Sequence, residues 1–126
     1  MCASLACGLK LAEPEEVKLS IKEGLSKVLR ELLGRTGEEA LKFHLKRILK
    51  QDVYETFYDD PFKFYDSLKR FLSSGAEPLM RLIIQKLIER GFIGGLTPQF
   101  FLELLNNRDE RSKRMIKSSF KIPKGG

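Results

Sequence analysis

Residues 17–33 read VKLSIKEGLSKVLRELL, and this stretch decides the fold class. Ile21, Leu25, Val28, Leu29 and Leu32 recur at the three- and four-residue intervals of one helix face, while Lys and Glu fill the other. The period-two alternation of a half-buried strand is absent. The spacing predicts a helix over residues 15–33 that tolerates Gly24 inside it, at a cost of about 1 kcal/mol. Gly34 is expected to close it as a left-handed cap.

Downstream, Thr36 and Glu39 have the spacing of a capping box, which predicts a second helix to about Lys50. Its expected inner stripe is Ala40, Leu41, His44, Leu45 and Ile48, with the only histidine on or beside the buried face. The segment 52–58, DVYETFY, alternates imperfectly and could be a short strand, an extended connector or a helical turn; it reads as a connector or turn. Asp60 followed by Pro61 is a helix start, because the carboxylate accepts orphan amides and the first helical position needs no N–H. The next stripe is Phe64, Tyr65, Leu68, Phe71 and Leu72, and Ser73, Ser74 and Gly75 end it. Pro78 opens a helix faced by Met80, Ile83, Ile84, Leu87 and Ile88, which Arg90 and Gly91 close. Thr97 and Pro98 then start a fifth, carrying Phe101, Leu104 and Leu105.

The expected architecture is all-α: a single compact bundle of about five helices over residues 15–107, preceded by a flexible N-terminus at 1–14 and followed by a basic extension at 108–126. Composition agrees. Leu occurs 20 times, against 14 for Val, Thr and Ile together, and β-branched residues are those that favour strands. No apolar run approaches the roughly 20 residues needed to cross a bilayer. The 32% charged residues beside only five Asn and Gln form a mild thermophile signature. Cys2 and Cys7 are too few and too close together to staple a core or, with one distant histidine, to hold zinc, so they read as incidental reduced thiols. The opening MCASLACGLKLA lacks the basic region of a signal peptide, which gives a cytoplasmic expectation.

The net charge of +6 is unevenly spread, with +3 over residues 34–50, −3 over 51–77 and +4 over 97–126. No motif places a nucleophile beside a base and an orienting group, so the chain reads as non-enzymatic with no cofactor. The carboxylates Asp52, Glu55, Asp59, Asp60 and Asp66 lack calcium-loop spacing, so no metal ligands are assigned. The G-x-x-G run at 91–94 lacks the strands of RNA-binding domains that use such a loop, and reads as a helix cap and turn. Two features stand out. Seven of the twelve aromatic residues fall within 54–71, more than one helix face buries, so Tyr54, Phe57, Tyr58, Phe62 and Tyr65 are candidates for a partner interface. Arg108, Arg111, Lys113, Arg114, Lys117 and Lys121 are candidates for anion or nucleic-acid contacts, on a tail expected to be solvated unless Phe120 and Ile122 fold back as a strap.

A helix ending Leu32-Leu33-Gly34, then Glu39-Ala40-Leu41 with His44-Leu45, Asp60-Pro61 before Phe64 and Leu68, Gly75-Ala76, and Ile83, Ile84 and Leu87 together resemble small archaeal helical domains known as Nitrosopumilus output domains. The resemblance covers residues 25–87. It implies a regulatory or adaptor role without catalytic residues. The chain departs from the family at Leu72-Ser73-Ser74, where an aromatic residue and Gly are usual before the Gly-Ala turn, and residues 96–126 are unmatched. The leading functional expectation is thus protein binding or self-association through an aromatic face. The alternative is nucleic-acid binding by the basic C-terminal segment, and a third is a ligand pocket among the Tyr and Asp residues of 52–66.

Overall fold

The helical reading of residues 17–33 holds in the computed structural model of the protein, which describes residues 14–122. The expected N-terminal segment lies outside the described residues up to position 13, and so do Cys2, Cys7 and Lys124. The chain forms α1 (Pro14–Leu49), α2 (Val53–Asp59), α3 (Pro61–Leu72), a 3-10 turn (Ser73–Gly75), α4 (Ala76–Glu89), α5 (Pro98–Asn107) and α6 (Glu110–Ser119). The fold is all-α, and no helix among the described residues is long and apolar enough to cross a membrane.

The two helices expected on either side of Gly34 are present as the two arms of α1, joined directly by a kink of non-helical backbone at Gly34. Gly34 has φ 80° and ψ 170°, a region open in practice to glycine alone. It therefore bends the chain without inserting a loop. The first arm, 14–33, buries Ile21, Leu25, Val28 and Leu29 as the sequence predicts. The second arm, 35–49, keeps Leu41 and Leu45 of the expected stripe but is rotated slightly from it. Leu41, Leu45 and Leu49 face inward, whereas Ala40 and His44 are exposed. The cause is Glu38, which is 1% exposed and accepts hydrogen bonds from Ser26 Oγ at 2.8 Å, Arg30 Nε at 2.8 Å and the Tyr54 hydroxyl. Satisfying that carboxylate places position 38 inward, and Leu41, Leu45 and Leu49 follow at intervals of three and four.

Of the readings open for residues 52–58, the helical turn is the one that forms, as a seven-residue helix over Val53–Asp59, and not the extended connector. Asp52 accepts from the backbone N–H groups of Tyr54 and Glu55, so its side chain supplies the cap that starts α2. The Asp60 and Thr97 readings hold. Asp60 accepts from Lys63 N with Pro61 next to it, and Thr97 accepts from Phe100 N with Pro98 next to it. The Thr36–Glu39 box does not form, because the chain passes from Gly34 straight into the second arm and Glu39 pairs with Arg35 at 3.9 Å. α4 begins at Ala76, two residues before the expected Pro78. At the end of α4, Phe92 N donates to Leu87 O and Gly91 N to Ile88 O, the paired bonds of a Schellman cap. The G-x-x-G run is thus a helix ending.

The basic tail is not solvated from residue 108. Asp109 caps α6, which turns Ser112, Ile116 and Ser119 to the core. Ile93 and Phe120 then form an antiparallel bridge, with Gly94 N donating to Ser119 O and Lys121 N to Phe92 O, each at 2.9 Å. Burying Phe120 and Ile116 is what pulls the segment in. The core lies where α1 meets α2, α3 and α4, with α5 packed on α4 and α6 on α5 and α3.

Candidate functional site

The five aromatic residues expected at a partner interface are mostly in the core. Phe57 is fully buried and meets Phe64 edge-on at 5.1 Å, and Tyr54, Phe62 and Tyr65 are also buried. Tyr58 is half-buried, 5.6 Å from Phe120. The helical turn of α2 is the reason, since it projects Tyr54 and Phe57 towards α1 where an extended connector would have displayed them. Burial pushes the Tyr54 phenol well above its ordinary pKa, and the carboxylate it donates to pushes it further. Burial opposes ionisation of Glu38, but hydrogen bonds from Tyr54, Arg30 and Ser26 outweigh it and hold the carboxyl below its usual range. This network joins both arms of α1 to α2 and serves the fold.

The acidic residues of 52–66 are similarly committed. Asp52 and Asp60 cap helices, Glu55 and Asp59 pair with Lys22 and Lys18, and Asp66 holds Arg108 at 2.8 Å. A depression of about 640 Å³ lies elsewhere, lined by Leu19, Glu23, Lys27, Arg90, Phe92 and Ile122 among others. The expectation of a ligand pocket formed by the Tyr and Asp residues therefore loses its geometric basis.

The aromatic surface that remains is one the sequence reading did not select. On the second arm of α1, Phe43 is two residues from both Leu41 and Leu45, roughly 200° from each on a helix and so opposite the core. It is 60% exposed. The ring of His44 lies 5.5 Å from Phe43, edge-on, and stacks on Phe71 of α3 at 4.6 Å with an interplanar angle of 20°. Phe71 is itself 38% exposed. His44 is therefore an exposed link between two exposed rings, not a core residue.

One cation lies against this strip and others flank it in sequence, of which Lys42 is over the Tyr54 ring at 5.4 Å. The Arg47 guanidinium is 5.7 Å from the Phe43 ring centre, and Lys42, Lys46, Lys50 and Arg70 are exposed nearby in sequence. None of these five has a carboxylate partner among the described residues, although Lys18, Lys22, Arg30, Arg81, Lys86, Arg90 and Arg108 all do. The +3 of residues 34–50 was the available signal, and Phe43 became visible only with the true phase of the helix.

The six candidate anion contacts divide into two groups. Arg108 is tied to Asp66 and lies over Phe62 at 5.5 Å, while Lys121 rests along Gly94 just after the bridge. Arg111, Lys113, Arg114 and Lys117 project from α6, with the Lys117 ammonium 5.0 Å from the Tyr58 ring centre. No family model, curated protein or solved structure matches the chain.

Proposed function

We propose that the protein is a non-enzymatic, cytoplasmic adaptor or regulatory domain that binds an acidic protein segment through the face formed by Phe43, His44 and Phe71. The observation that supports this reading is the exposure of Phe43 at the outermost position of its helix, in ring contact through His44 with a second exposed aromatic from another helix. Single exposed apolar residues are ordinary on protein surfaces. A connected aromatic strip flanked by cations has instead the composition of an interface centre, where aromatic residues and Arg are enriched. The regulatory role agrees with what the resemblance to Nitrosopumilus output domains implies.

Charge selects the kind of partner. A second copy docking through the same face would set Lys46, Arg47 and Lys50 against their own counterparts, and like charges brought together across an interface cost affinity. An acidic segment bearing one or two large apolar residues meets both halves of the face. Selection of a random peptide library on the purified protein tests this reading. The enriched peptides should combine Asp or Glu with Leu or aromatic residues, and Phe43→Ala should weaken their binding by about thirtyfold, the effect of losing a hot-spot side chain. Enriched peptides indifferent to Phe43→Ala and Phe71→Ala would remove the proposal.

A further inference from the structure

The outward surface of α6 has a different chemistry from the Phe43 face. With Ser112, Ile116 and Ser119 turned inward, the helical step of about 100° per residue places Lys113, Lys117, Arg114 and Arg111 on one continuous arc. Only Glu110 and Ser118 share it. None of the four cations has a carboxylate partner among the described residues, in contrast to Arg108 immediately before the helix. Both ends of α6 are fixed, by the Asp109 cap at the start and by the Ile93–Phe120 bridge at the finish. The charges are therefore held in a set array, not on a loose tail.

The arc has no exposed large apolar side chain, since Ile116 is buried and Met115 half-buried. A protein partner would find no apolar side chain to bury at an interface centre there, which leaves Arg111 and Arg114 without the desolvated surroundings of a hot spot. At an anionic membrane surface four cations contribute only about 4 kcal/mol between them, and the apolar face of α6 that would add insertion energy is already spent on the core. Single-stranded nucleic acid is bound largely by stacking on exposed aromatic rings; the ring beside the arc, Tyr58, is half-buried and lies against the Lys117 ammonium. What an array of cations alone does well is to displace the counterions condensed on a duplex phosphate backbone. We infer that Arg111, Lys113, Arg114 and Lys117 of α6 form a sequence-independent site for the phosphate backbone of duplex nucleic acid, separate from the Phe43 face.

The salt dependence of binding to a short mixed-sequence DNA duplex, measured with the intact chain, tests the inference. Four phosphate contacts give a slope of log K against log salt of about −3.6, so affinity should fall roughly a hundredfold between about 50 and 200 mM salt. The double variant Arg111→Gln/Arg114→Gln, at two exposed positions, should keep its melting temperature and reduce the slope to about −1.8, so the same change of salt costs only roughly tenfold. Lys46→Gln/Arg47→Gln, which removes two of the unpaired cations near Phe43, should leave the duplex slope unchanged, which separates this site from the proposed protein-binding face. No duplex binding, an unaltered slope in the double variant, or equally tight binding of polyglutamate with the same slope would each overturn the inference.

Discussion

At the level of single residues, Glu38 and Gly24 show how the core constrains the surface. Three donors from two helices keep Glu38 ionised although it is buried. Tyr54→Phe removes one of these charged hydrogen bonds and should cost about 1.5–3 kcal/mol in urea unfolding at neutral pH. The pH dependence follows from the two shifts. Because the folded-state pKa of Glu38 is lowered, its contribution is present above the unfolded carboxyl value of about 4.3 and is lost as pH falls through the lower folded value. Because that of Tyr54 is raised, its contribution is present below the unfolded phenol value of about 10 and is lost as pH rises through the folded value. Urea midpoints measured from acid to alkali should therefore form a plateau with two shoulders, and Tyr54→Phe should remove the alkaline decline that this phenol contributes. Gly24 illustrates a conflict of magnitudes. In a helix interior Gly→Ala gains about 1 kcal/mol of propensity, but a Cβ at this site would lie 2.8 Å from the Phe92 ring. Phe92 is pinned by the cap of α4, and overpacking costs about 1–3 kcal/mol. Gly24→Ala should accordingly be neutral to destabilising, by up to about 2 kcal/mol, and a gain in thermal stability would show that the ring moves freely.

The elements differ in how plainly the sequence announces them. The starts of α3 and α5 are legible because Asp60-Pro61 and Thr97-Pro98 act through local hydrogen bonds and a fixed φ. The end of α4 at Arg90-Gly91 is legible for the same reason. On the second arm of α1 the inward Leu41 and Leu45 are legible, but the side to which their stripe extends is not, because Leu49 on one flank and Ala40, His44 and Ile48 on the other both continue it. The choice between them depends on Glu38 meeting Arg30 and Tyr54 across the kink, which is tertiary. The same is true of α2, whose seven residues become a helix with Asp52 as cap and α1 as packing surface. α6 was read as solvated because its charges outnumber its apolar residues, yet Ile116 and Phe120 suffice to dock it. Phe120→Ala should release this strap. The expected cost is about 3 kcal/mol, at the low end for a buried Phe, and the amides of Gly94 and Lys121 should exchange with solvent much faster than in the unaltered protein. Unchanged protection at those two amides would mean that the bridge holds without the ring.

For the whole molecule, the charge of +6 separates into paired and unpaired cations. Those on the first arm of α1 and on α4 are largely neutralised by Glu31, Glu55, Asp59 and Glu77. Among the described residues the unpaired ones include four each on the second arm of α1 (Lys42, Lys46, Arg47, with Lys50 at its end) and on α6 (Arg111, Lys113, Arg114, Lys117), besides Lys63, Lys69 and Arg70 of α3. The candidate site could be read only in part, since net charge by segment located both regions, while the aromatic count pointed to residues that the core consumes. Phe43→Ala should leave stability within about 0.5 kcal/mol of the parent, as for other exposed positions away from special contacts, so that loss of binding can be separated from loss of fold in the same melting curves. The most direct measurement of the central claim is an NMR titration of the labelled protein with the acidic peptide enriched by selection. The proposed function predicts saturable shifts at Phe43, His44, Arg47 and Phe71 with those of Arg111 and Arg114 unmoved; shifts confined to α6, or to Leu19 and Phe92 beside the 640 Å³ depression, would contradict it.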